Sequence, residues 1–257
     1  MTSMFSSDSS STRHTNGVTF MNAGSPQAMG EMAARIIAEQ LAQKPESSLV
    51  FPTGKTPQPL YAALRELAAS GGIDWRRSRL FHLDEYVNPQ PEQSPSYRTF
   101  ADEIDEQLWG AIPEAEKHYF KDAPDPLAYE RAVMGNKGTG PDLVVLGIGA
   151  NGHIAFNEPG SSQDAPSRLV SLAEQTIISN FGGLGKAGTP TQAMTLGLHA
   201  ILAAKTIILL ANRGKEEIVR RAFDPVTPSS PEIPASWLKR HSNVKVITDF
   251  NVFDGSD

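Results

Sequence analysis

Residues 147–160 read GIGANGHIAFNEPG, with four glycines, one histidine, one glutamate and two asparagines directly after an apolar run. Gly147, Gly149 and Gly152 let a chain leaving a buried strand turn with positive φ and approach a ligand closely. His153 is the only one of the six histidines in such a glycine-rich strand end, with Asn151 two residues before it and Glu158 five after. Either neighbour, bonded to one ring nitrogen, would fix the tautomer and leave the other nitrogen free to move a proton. The combination favours proton transfer over the plainer reading of a histidine satisfied within its loop.

Two further segments carry reactive groups. In FHLDEYV (81–87) an apolar strand ends in His82, Asp84, Glu85 and Tyr86 and runs into a proline-rich loop. Alternation puts His82 and Asp84 on one side of the strand and Leu83 and Glu85 on the other. A carboxylate here is ionised near neutrality and gains basicity on burial, which makes Asp84 a candidate general base. The structural alternative is an acidic pair that caps a loop or pairs with Arg98. In FPTGKTPQPLY (51–61), Thr53, Gly54, Lys55 and Thr56 link a strand end to a helix start. Backbone N–H groups, two hydroxyls and a lysine there would cradle a phosphate, or simply make a well-capped turn. The loop has neither the G-x-x-x-x-G-K-[ST] nor the G-x-G-x-x-G spacing, so ATP and NAD lose support. The chain has no familiar metal-ligand spacing and no G-x-S-x-G elbow, so no catalytic metal and no serine nucleophile are expected.

The elements that must position these residues are short apolar runs alternating with amphipathic stretches. Strands are expected over 18–22, 48–52, 79–86, 142–149, 167–172, 205–211 and 244–249. Helices are expected from a capping Ser25 and first-turn Pro26, from Thr56 and Pro57, and over 96–109, 126–135, 213–223 and 234–241. This is the form of an α/β, doubly wound, mostly parallel sheet with helices on both faces, a Rossmann-like arrangement. Ligands in such sheets lie outside the carboxyl ends of the strands, where all three segments fall.

The chain has 257 residues, 39% of them apolar, enough for one domain over 18–257. The Ser-rich residues 1–17 read as a disordered leader without the apolar stretch of a secretory signal. With 23 basic and 29 acidic side chains, a formal charge of -6 and no cysteine, the chain is expected to bind no nucleic acid and to work in the cytoplasm. No window is apolar enough to suggest a membrane span.

Together PTGKTP, LDEYV, SYRTF and GIGANGHIAFNEPG, in this order, resemble the glucosamine-6-phosphate deaminases, also called isomerases, over roughly residues 18–249. The related 6-phosphogluconolactonases share the fold, but Tyr86, Asn157 and Glu158 favour the deaminases. The resemblance implies conversion of glucosamine 6-phosphate and water to fructose 6-phosphate and ammonia without a cofactor. His153 would open the sugar ring with Glu158 and Asn151 beside it, and Asp84 would carry the C2 proton to C1. Thr53, Gly54, Lys55, Thr56, Glu85, Gly149, Gly152 and Lys215 would bind the substrate, the first four and Lys215 at its phosphate.

Three departures accompany the resemblance. Asn151 stands where some members have Asp, Lys55 replaces a small residue, and Gly182 stands where a phosphate-binding arginine is expected, with Lys55 or Lys186 as the substitute charge. The chain also lacks the longer C-terminal part of the regulated members, which points to a non-allosteric enzyme. A homo-oligomer is compatible with the family. The alternatives are a galactosamine-6-phosphate deaminase, a 6-phosphogluconolactonase, and a sugar-phosphate sensor domain, the last disfavoured because no helix-turn-helix fits in the first 17 residues.

Overall fold

Alternate residues of the central strands face opposite ways, and each set meets its own layer of helices. The computed structural model describes residues 12–87, 98–172, 174, 177, 178 and 189–253. Its main sheet has eight strands: β1 (Thr12–Thr15), β2 (Val18–Asn22), β3 (Ser48–Phe51), β4 (Arg79–His82), β6 (Glu116–His118), β7 (Leu143–Leu146), β10 (Thr206–Ala211) and β11 (Val244–Thr248). They lie in the order β1-β2-β11-β10-β7-β3-β4-β6. All neighbours pair in parallel except β1 with β2. A second sheet joins β5 (Asp84–Tyr86), β9 (Gln192–Thr195) and β8 (Arg168–Ser171), paired antiparallel.

On one face, Leu143 and Val145 of β7 and Ile208 and Leu210 of β10 pack with α1 (Pro26–Gln43), α2 (Gln58–Ala69) and α3 (Phe100–Gln107). On the other, Val144, Leu146, Ile207 and Leu209 pack with α4 (Pro126–Met134), α5 (Leu198–Leu202), α6 (Glu216–Ala222) and the 3-10 segment Pro234–Arg240. Strands buried on both faces are the doubly wound arrangement that the continuous apolar runs predict. Each fully buried aliphatic side chain adds roughly 1.5–3 kcal/mol of burial.

At the amino ends of the central strands, Asp142 is buried and receives both Lys44 Nζ (2.7 Å) and Lys205 Nζ (2.6 Å). The Ser48 N–H donates to the same carboxylate at 3.0 Å. Burial opposes its charge, but these donors prevail and hold the carboxyl below its ordinary range. One side chain thus ties together the starts of β3, β7 and β10, together with the C-cap of α1.

Ser25 caps α1 as the sequence predicts, its hydroxyl accepting the Ala28 N–H at 3.1 Å. Three expectations differ. Thr12–Thr15, expected in the leader, form β1, because Asn16 and Gly17, at φ 43° and 82°, make the tight Asn-Gly turn that pairs β1 with β2. Thr56 does not cap α2: the helix begins at Gln58 after Pro57, with no side-chain cap. The strand expected over 79–86 breaks at Leu83, whose N–H donates to Phe51 O and whose carbonyl accepts from Leu196 N–H. Asp84 therefore leaves the main sheet and opens the small one.

Candidate active site

After β1 and β2, which form one edge, the chain fills the sheet outward from its middle. From β3 it proceeds through β4 to β6 on one side; from β7 it proceeds through β10 to β11 on the other. The direction reverses between β3 and β7, and a crevice outside the carboxyl ends at such a reversal is where ligands of open α/β sheets lodge. The residues after β10, β7, β3 and β4 are Asn212–Lys215, the glycine-rich turn, the Thr53–Thr56 loop and Leu83–Asp84. The three sequence segments expected to carry chemistry, and the turn that bears Lys215, thus leave adjacent parallel strands at one rim.

In the glycine-rich turn, His153 lies flat against Gly149. A Cβ at Gly149 would fall 2.5 Å from Nδ1 of that ring and closer still to Cε1 and Nε2. The Gly149 N–H donates to the His153 carbonyl at 2.9 Å, closing the turn. Gly152 takes φ 85°, and a Cβ there would strike Ile233 Cγ2 at 2.7 Å. Both glycines serve close approach, though to neighbouring protein atoms. Glu158 Oε2 lies 3.4 Å from His153 Nδ1 and accepts Asn151 Nδ2 at 2.7 Å. The Asn151 Oδ1 in turn accepts the His153 N–H at 3.2 Å. Of the two neighbours offered by the sequence, Glu158 faces the ring, while Asn151 orients Glu158. A ring whose Nδ1 faces a carboxylate presents Nε2 as its proton-transfer atom.

Asp84 is buried at the start of β5. Burial, then the charges of Glu85 and Glu103, push its carboxyl well above the ordinary range, which strengthens it as a base. Glu85 is buried too, but its oxygens accept the N–H groups of Tyr86 (2.8 Å), Phe100 (2.9 Å) and Ala101 (2.9 Å). These bonds hold the first turn of α3; burial nonetheless outweighs them and raises the Glu85 carboxyl above its ordinary range. Arg98 pairs with Glu106 rather than with either acid. Burial drives His82 down to about 3, so it is neutral. Its Nε2 accepts the Phe120 N–H at 3.0 Å, which leaves the proton on Nδ1.

In the Thr53–Thr56 loop, Gly54 adopts φ 98° and its surface is open where a Cβ would stand. Its N–H donates to Glu103 Oε1 of α3 at 2.8 Å. The buried Tyr61 hydroxyl donates to Pro52 O and pins the strand end behind the loop. Lys55 is exposed, and Thr53 and Thr56 are half-buried. Lys215, half-buried just before α6, is pulled below the usual ammonium range by that burial. Among the described residues no carboxylate pairs with it. Gly182 and Lys186 lie outside the described residues.

A family described as glucosamine-6-phosphate isomerases/6-phosphogluconolactonase matches residues 23–247. The chain belongs to this family. A glucosamine-6-phosphate deaminase of Lachnoclostridium phytofermentans is 38% identical, over 90% of this chain and 98% of its own. One from Rhodopirellula baltica is 37% identical, over 84% and 87%. A solved structure of a monomeric glucosamine-6-phosphate deaminase superposes with a TM-score of 0.75 at 29% identity, over 90% of this chain and 96% of that one. A 6-phosphogluconolactonase from Trypanosoma brucei, with a TM-score of 0.66 at 20% identity over 93% and 97%, shares the fold.

Glu103 carries no signal of its place beside Gly54 in the sequence. In sequence it is one acid on an amphipathic helix, and only folding brings it to Gly54, 49 residues away. Arg168 likewise carries no signal of its own place: it donates to Asn157 Oδ1 and Ser161 Oγ, each at 2.9 Å, and so fixes the loop that carries Glu158. Asn157 itself donates to Leu196 O at 2.9 Å, tying that loop to the segment after β9. No helix among the described residues is long and apolar enough to cross a membrane.

Proposed function

We propose that the chain is a glucosamine-6-phosphate deaminase, releasing fructose 6-phosphate and ammonia from glucosamine 6-phosphate and water. The observation that carries this reading is the placement, on one rim of the sheet, of a buried carboxylate beyond β4 and, beyond β7, a histidine with a carboxylate 3.4 Å from its Nδ1. Aldose-to-ketose conversion needs both: one group to move protons on the ring oxygens, another to move a proton between neighbouring carbons.

His153, with Glu158 at Nδ1, takes the C1 hydroxyl proton and protonates the ring oxygen through Nε2, giving the open aldehyde. Asp84 removes the proton from C2, the electrons moving through C1 to the carbonyl oxygen, which takes a proton from the 2-ammonium group to form an enolamine. The same carboxyl returns a proton to C1, leaving an imine at C2, which water hydrolyses to the ketone and ammonia. Asp84 suits the carbon step because its burial removes the water that would stabilise its charge. Lys215 supports a phosphosugar, since its half-buried ammonium has no protein anion beside it among the described residues. The Thr53–Thr56 loop supplies further donors, and its open surface at Gly54 leaves room for a phosphate. A charged phosphosugar stays in the compartment where it is made, which supports a cytoplasmic enzyme.

The test is ammonia release from glucosamine 6-phosphate, run beside galactosamine 6-phosphate and 6-phosphogluconolactone, with Asp84→Asn as control. Ammonia from the glucosamine ester that disappears in the variant is the expected result. Lactone hydrolysis without ammonia would replace the deaminase with a lactonase, and preference for the galactosamine ester would change the sugar.

A further inference from the structure

Glu103 is an anion held where the proposed chemistry wants another anion. Its Oε1 accepts the Gly54 N–H at 2.8 Å and Gln107 Nε2 at 2.9 Å. Among the described residues no lysine or arginine forms an ion pair with it; its donors are neutral amides. Gly54 belongs to the loop proposed to receive the phosphate, and its N–H is one of the backbone donors on which such a loop relies. The neighbourhood of Glu103 is already acidic: its charge and that of Asp84 both raise the Tyr61 phenol, after the larger effect of burial.

We propose that Glu103 is a specificity-determining residue that stands in for the substrate's phosphate, occupying the Gly54 N–H so that a phosphate must displace it. The inference rests on the reading that the Thr53–Thr56 loop and Lys215 bind phosphate. One backbone N–H cannot serve a carboxylate and a phosphate at full strength, and two anions so close repel each other. A free phosphate would meet this opposition with little to offset it. A phosphosugar brings the contacts of its sugar as well, and these help to move Glu103 aside. Gln107, one turn further along α3, provides a place for the displaced carboxylate, because its amide already donates to the same oxygen. Glu103 would thereby keep small anions out of the loop while admitting the anchored ester.

Glu103→Gln removes the charge and keeps an amide oxygen that still accepts from Gly54 and Gln107. Inorganic phosphate is the probe, used as a competitive inhibitor and as a ligand that raises the melting temperature. In Glu103→Gln the inhibition constant for phosphate should fall by about fivefold or more, the size expected for removing one nearby, partly screened like charge, and the KM for glucosamine 6-phosphate should fall by less, so that discrimination against free phosphate narrows. The phosphate-induced thermal shift should grow at equal phosphate concentration. Unchanged or weakened phosphate binding in Glu103→Gln, with Lys215→Met still weakening it, would overturn the role of Glu103 and keep the phosphate site. Phosphate binding indifferent to Glu103→Gln, Lys215→Met and Lys55→Ala alike would overturn the phosphate site itself and the inference with it.

Discussion

Replacing Gly149 by alanine adds one methyl group directly against the face of His153. Its Cβ would fall 2.5 Å from Nδ1 and closer to two other ring atoms, whereas non-bonded carbons rest at about 3.5–4.0 Å. The ring must therefore retreat by about 1 Å, carrying Nδ1 away from its 3.4 Å position beside Glu158. The backbone is no obstacle, because Gly149 is absent from the positive-φ glycines and its N–H bond to the His153 carbonyl can persist. A misplacement of about 1 Å at a reacting group can lower the rate about 100-fold, or about 2.7 kcal/mol of barrier at 1.36 kcal/mol per decade. Gly147→Ala is the matched control, since a Cβ there meets no atom within 4 Å. Fructose 6-phosphate formation, followed as kcat/KM, should fall about 100-fold in Gly149→Ala and stay within about threefold of the parent in Gly147→Ala, scaled to the same factor. The melting temperature of both should stay within about 5 °C of the parent, since neither removes core packing. An active Gly149→Ala enzyme, or an equal loss in both variants, would refute the assignment of Gly149 as the surface that places His153.

Asp84→Asn should abolish most activity, by about 10²- to 10⁴-fold for loss of a general base, while making the protein more stable at neutral pH. The raised folded-state pKa means that the native state retains a proton that the unfolded chain has released above its ordinary 3.8, so stability drains as pH rises through that interval. The variant's advantage in thermal unfolding should therefore vanish as pH falls below 3.8. In the parent, the acid limb of kcat/KM should lie above the ordinary carboxylate range, and a limb at ordinary values would count against Asp84 as the base. Lys215→Met should raise KM for the phosphosugar about 10- to 100-fold, as expected for losing a charged hydrogen bond of about 1.5–3 kcal/mol; an unchanged KM would remove Lys215 from the site. Glu85→Gln should lower stability in urea by about 1–3 kcal/mol, because two backbone donors of α3 and that of Tyr86 lose their carboxyl acceptor; unaltered unfolding would show that α3 does not depend on it.

The parts of the site that lie within one turn were legible in the sequence. Gly149, Gly152, Asn151, His153 and Glu158 are close in the chain, and their glycines announce a bend at the end of an apolar strand. The rest depends on contacts across the fold. Period-two alternation reads 79–86 as one strand, because nothing local marks Leu83 as the residue shared between Phe51 and Leu196. The alternation also assigns Glu85 only to a side; that its oxygens meet Phe100 and Ala101 depends on where α3 docks. Strand β6, only Glu116–His118, is too short to show a pattern and owes its form to pairing with β4. The Asn16-Gly17 turn, by contrast, carried a strong hairpin signal that the Ser-rich composition upstream obscured.

The Asp142 clamp has a consequence for how such a protein can change over evolutionary time. It secures β3, β7 and β10 where they begin, at the rim opposite the one that bears Gly54, His153 and Lys215. Substitutions in the reactive loops therefore leave the central fastening untouched, and a lineage can exchange one chemistry for another without first solving folding again. Inheritance of the anchored rim, with trial and error confined to the free one, is a route by which one architecture acquires several reactions.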